Sequence, residues 1–150
     1  MKLNHMLSHW EQIRAKLLET IDKFGDEELP YKPFEASWSV GEIMLHIANE
    51  EEGEFRYGVT QELKEWPSEY RAEDYPTIES TKSLLADVHS RTVEYLRTLD
   101  EIDLDRVIET PWGASIRLSN IIGHVMEHGI HHRGELSLIL GMLGREGLDA

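Results

Sequence analysis

The chain has no cysteine among its 150 residues, which removes disulfides, thiolate metal ligands and a cysteine nucleophile together. Any metal it holds must be held through nitrogen and oxygen. Long apolar runs are missing too: nothing approaches the roughly 18 consecutive apolar residues of a membrane span. The opening MKLNHMLSHWEQIR meets polar residues too soon for a signal peptide. A cytoplasmic protein with no membrane partner is expected. Positive charge is scarce, with 15 Lys plus Arg against 29 Asp plus Glu and a net charge of −14. That balance argues against a nonspecific binder of nucleic acid or anionic lipid and leaves small molecules or proteins as partners. No internal repeat or low-complexity tract is present, so residues 1–150 read as one domain with enough chain for a real core.

What is abundant is histidine. Four lie at 124, 128, 131 and 132, inside the stretch IIGHVMEHGIHHRGE from Ile121 to Glu135. With Val125 as the zero of a wheel turning about 100° per residue, Leu118, Ile122, Gly129, Leu136, Ile139 and Leu143 fall within about 60° of it. His132 lies about 20° from the centre of this stripe and His128 about 60°, whereas His124 sits at its border near 100° and His131 turns to water near 120°. His128 and His132, at i and i+4, are therefore the best chelating pair on this helix. Two imidazoles side by side in a core leave inner nitrogens to be satisfied, and a divalent cation satisfies both, although a hydrogen-bonded core pair remains the alternative.

Four helices are expected. The first runs from Leu3 to Phe24 with Gly25 as its stop, and its His5 and His9 read as a solvated pair. After the proline-bearing connection DEELPYKPFEAS, Ser39 and Glu42 have capping-box spacing and Trp38 can staple onto Ile43, so a second helix begins there. Its inward face holds Val40, Ile43, Ile47 and Tyr57 but also His46, Glu50 and Glu54. Carboxylates on a core stripe must be paired or cation-bound, unless that end of the helix projects past the bundle into solvent. Glu51 and Glu52 point away and read as solubilising charge. A long connection from about Gly58 to Pro76 implies that helices two and three run the same way. Helix three is expected from Thr77 to about Leu99 with Leu84, Leu85, Val88, Thr92, Leu96 and Leu99 inward; His89 reads as structural or exposed. Residues 100–116 read as an ordered loop, and helix four as about Arg117 to Leu143, ending at Gly144.

The fold class is thus all-α, a four-helix bundle with a long connection between helices 2 and 3. His46, His128 and His132 are the metal candidates, because three protein nitrogens with an open position is how a catalytic zinc site is commonly built. Neither HExxH, Glu-x-x-His, GxSxG nor a Gly-rich phosphate loop occurs.

The stretches WSVGEIMLHIANEE and HVMEHGIHHRGEL resemble the two signature segments of the DinB-like (DinB/YfiT) superfamily, and the resemblance covers nearly the whole chain. It implies up-down-down-up topology and a divalent metal on His46, His128 and His132, often in a homodimer. Related families include bacillithiol S-transferases and mycothiol-dependent isomerases, and many members have no established reaction. HHRGE stands where HHRGQ is common, which puts the role of Glu135 in question.

The expected function is a metal-dependent enzyme with Zn²⁺ or Ni²⁺ at the open three-histidine site. It would take a small-molecule substrate, either a low-molecular-weight thiol plus an electrophile for S-transfer or a substrate for hydrolysis. Glu50 is the candidate general base or additional ligand, and Arg133 the candidate anchor for a substrate carboxylate. The alternative is a non-catalytic, metal-stabilised bundle acting as a binding or stress-response interaction protein.

Overall fold

Leu3–Ile21 forms α1, Val40–Glu52 forms α2, Ile78–Leu96 forms α3 and Leu118–Met142 forms α4 in the computed structural model, which describes residues 2–147. Local chemistry sets several of the ends. The Ser39 hydroxyl accepts from the Glu42 N–H at 3.2 Å and the Glu42 carboxylate from the Ser39 N–H at 2.7 Å, the capping box expected at the start of α2. Thr77 caps α3 by accepting from the Ser80 N–H at 3.0 Å. At the end of α4, Gly144 is left-handed with φ +81°. There Gly144 N–H donates to Gly141 and Arg145 N–H to Leu140, the paired bonds that satisfy the last carbonyls of a helix.

Polar contacts along the helices give their directions. Arg14 of α1 meets Glu51 of α2 while Trp10 packs on Phe55, so α1 and α2 are antiparallel. His46 meets His128 while Glu50 meets His124, so α2 and α4 are antiparallel as well. Helix α3 follows α2, with His89 on Glu51, Arg91 on Glu52 and Tyr95 against Phe55. The chain therefore runs up, down, down, up.

The long connection makes the parallel pair possible. α2 continues as a π-helical segment, Gly53–Val59, and the chain then travels back along α2. Asn49, fully buried, donates to the Pro67 and Ser68 carbonyls and accepts from the Trp66 indole N–H, so one side chain fastens the returning segment. The tyrosine hydroxyl of Tyr70 then bonds Glu52, and α3 starts where its Ile78 N–H donates to Asp26 in the turn after α1.

Buried apolar side chains form two clusters, one around Trp10, Phe55, Leu96 and Ile122, the other around Leu17, Met44, Leu85 and Leu136. Between them every helix contributes polar side chains: Arg14, the run from Asn49 to Glu52 with Glu54 just beyond it, His89 with Thr92, and His128 with His132. This polar layer contains the candidate site.

Three expectations need correction. Residues 100–116 are more than a loop: Glu101–Asp105 is a 3₁₀ turn, and Val107–Glu109 (β1) pairs antiparallel with Ser115–Arg117 (β2), joined through Gly113 at φ +87°. Gly25 is not a left-handed stop, since α1 ends at Ile21 and Gly25 has φ −91°, opening a short 3₁₀ turn. Glu51 and Glu52 are not solvated. They are 1% and 7% exposed, Glu51 against Arg14 and His89 and Glu52 against Arg56, Arg91 and Tyr70. Helix α2 is enclosed by α1, α3, α4 and the returning connection, so it has no purely solvent face.

Candidate metal centre

His46 on α2 and His128 and His132 on α4 bring three ring nitrogens together. The Nε2 of His128 stands 3.1 Å from the Nε2 of His46 and 3.1 Å from the Nε2 of His132. The wheel places these rings correctly: His132 is buried, His128 half-buried, and His124 and His131 are exposed. The other nitrogens of the two outer rings are held from behind. His46 Nδ1 lies 3.0 Å from Glu69 Oε1, and His132 Nδ1 lies 2.6 Å from Glu135 Oε2. A carboxylate can only accept from a neutral imidazole, so both Nδ1 atoms carry the hydrogen and both Nε2 atoms present lone pairs to the centre.

That centre suits a divalent cation. Two imidazole nitrogens bound at about 2.0–2.1 Å in tetrahedral geometry stand about 3.3 Å apart, and in octahedral geometry about 3.0 Å. The observed 3.1 Å fits either. Without a cation the His128 Nε2 can donate to only one of its two neighbours, which leaves facing lone pairs. Burial first, then the neighbouring histidines, pull the His128 pKa down to about 3. The ring is therefore neutral and ready to ligate at ordinary pH. Burial also lowers the pKa of His132, opposed by Glu135.

Around the triad, the Trp38 indole packs on the His46 ring with centroids 4.4 Å apart, rather than serving only as a helix staple. Trp38 also lines a cavity of about 540 Å³ with Pro33, Phe34, Leu138, Met142 and Glu135, which opens beside the site. On the His46 side a second cavity of about 340 Å³ is bounded by Trp38, Glu69, Tyr70 and Arg71. Glu50 groups with Glu54 and His124 rather than with the three rings. Arg133 is half-buried on α4 and has no ion-pair partner among the described residues. Glu69 was not indicated by the sequence, because it reaches His46 from an irregular segment with no periodicity. Glu135 carried a signal, its i+3 spacing from His132.

Fold and site together define an all-α bundle with a candidate metal-binding His/Glu cluster between α2 and α4. The chain belongs to the DinB family, whose model matches residues 1–149. YjoA of Bacillus subtilis is 28% identical over 148 residues, covering 97% of this chain and 93% of that protein. YfiT of Bacillus subtilis, provisionally named a metal-dependent hydrolase, is 25% identical over 148 residues, covering 89% and 82%. The crystal structure of a DinB-like protein from Bacillus cereus superposes with a TM-score of 0.78 at 15% identity, covering 99% of this chain and 97% of that one. That of YfiT gives 0.75 at 21% identity, covering 96% and 89%.

Proposed function

We propose that this chain is a divalent-metal-dependent enzyme that carries out S-transfer from a low-molecular-weight thiol to an electrophile, or hydrolysis, at His46, His128 and His132. The observation that carries the reading is the convergence of three Nε2 atoms, with carboxylates behind the two outer rings. When bound, Zn²⁺ or Ni²⁺ supplies Lewis acidity, which favours the thiolate of an incoming thiol or brings the pKa of a water down to about 7. Glu69 and Glu135 hold the His46 and His132 rings in the ligating tautomer. Glu50, one turn beyond His46 on α2, is assigned the role of proton acceptor. Arg133 supplies positive charge for a substrate carboxylate. The largely apolar cavity beside Trp38 accommodates the body of the electrophile. A homodimer in solution belongs to the same reading.

The test is turnover of a generic electrophile with a bacillithiol-type thiol by untagged protein, metal-stripped and metal-loaded. Activity is expected only in the loaded form and is lost in His128→Ala. Equal turnover without metal overturns the proposal. A rise in melting temperature on loading, with no turnover of any substrate, would instead identify a metal-stabilised interaction module.

A further inference from the structure

Four acids follow one another along the polar layer of α2 and its extension, and the fold treats them in two ways. Glu51 faces Arg14 and His89, and Glu52 faces Arg56 and Arg91, so each buried carboxylate has a permanent cation. Glu50 and Glu54 have none. Their only basic neighbour among the described residues is His124, whose Nε2 lies 3.3 Å from Glu50 Oε1 and 3.8 Å from Glu54 Oε1. Glu54 is 8% exposed and accepts no hydrogen bond from any described residue. Its carboxyl is aimed into the space between Glu50 and His124, where one ligating atom from each residue lies within 4.8 Å of the others. On its other side Gly58 carries the Trp112 indole so closely that an added Cβ would stand 2.7 Å from the ring, leaving an apolar wall.

A buried carboxylate beside a second one, with no fixed cation, is costly unless a mobile cation fills the gap. We infer that Glu50, Glu54 and His124 form a second divalent-cation site, separate from the three-histidine cluster and one helical turn along α2 and α4 from it. Two carboxylate oxygens and one imidazole suit a harder ion than three imidazoles do, so Mn²⁺ competes better here than at the triad. Burial, with Glu50 adding to it, raises the Glu54 pKa, as expected for a carboxyl that lacks its counterion. A cation at this site takes Glu50 as a ligand and withdraws it as proton acceptor, so filling it opposes the activity proposed above.

Equilibrium dialysis of untagged, metal-stripped protein against Zn²⁺, read by elemental analysis, tests this. Wild type is expected to take up two equivalents. Glu54→Gln should weaken one of them at least tenfold and leave the other unchanged, while His128→Ala should remove the other and keep the Glu54-dependent one. Metal-free Glu54→Gln should melt above metal-free wild type, because the substitution removes an uncompensated charge; this also establishes that the variant folds. Uptake in wild type that is wholly indifferent to Glu54→Gln, whether of one equivalent or two, overturns the inference. A single wild-type equivalent that Glu54→Gln weakens and His128→Ala leaves in place would count against the proposed function and leave this site standing.

Discussion

The Nε2 atoms of His46 and His128 face each other at 3.1 Å across 82 residues of sequence. Without a cation this contact is held by the surrounding helices. With one it becomes a cross-link between α2 and α4, so metal binding and fold stability are coupled. At a free Zn²⁺ concentration 100 times the dissociation constant, the stabilisation is about 2.7 kcal/mol. For a domain of this size that amounts to roughly 5–10 °C in melting temperature. Thermal melts should show this rise in wild type, and His128→Ala should lose the share that the three-histidine cluster supplies.

Acid destabilises the fold through the same residue. His128 has a folded-state pKa of about 3 against 6.5 for the ordinary group. Between those values the unfolded chain binds a proton that folded His128 refuses. Stability from this residue is therefore fully present above about pH 6.5 and is lost as pH falls toward 3. Chemical denaturation of metal-free protein should show a loss between pH 7 and 4 that is smaller in His128→Asn. Equal slopes in the two proteins would contradict it.

Glu135 occupies the position behind His132 at 2.6 Å. Removing an acceptor behind a ligating imidazole typically weakens metal binding 10–100-fold. Glu135→Ala should fall in that range by competitive chelator titration, whereas Glu135→Gln keeps a carbonyl acceptor and should stay within about a few-fold of wild type. Equal losses in both variants would mean that charge, not orientation of the ring, is what Glu135 supplies.

Arg14 and Glu51 are both buried, with the guanidinium also donating to the Leu85 carbonyl at 2.7 Å. Arg14→Met would strand Glu51 on one side, with only His89 left to face it. A cost of about 3–5 kcal/mol is expected by urea denaturation. Arg71, exposed in its pair with Asp74, is the control: Arg71→Ala should leave the midpoint unmoved.

Much of the bundle was legible because α4 keeps its apolar stripe over 25 residues. A period sustained that long separates inward His128 and His132 from outward His124 and His131. The capping box at Ser39 and the glycine ending α4 are local devices, readable from neighbouring residues alone. Glu51 and Glu52 were misread because a wheel assumes one inward face, and α2 is covered on several sides. Their partners Arg14, His89 and Arg91 lie on other helices and leave no mark in the periodicity of α2. The hairpin has strands of only three residues, too short for alternation to register. Glu69 depends on the path of the returning connection, which Asn49 fixes through tertiary hydrogen bonds rather than any local pattern.

X-ray absorption at the zinc edge, on protein loaded with one equivalent, reads the ligand set itself. Multiple scattering from three imidazoles at about 2.0 Å plus a light-atom ligand at the open position is expected, with the imidazole signal falling in His46→Ala. A spectrum dominated by carboxylate oxygens, or one unchanged by that substitution, would contradict it.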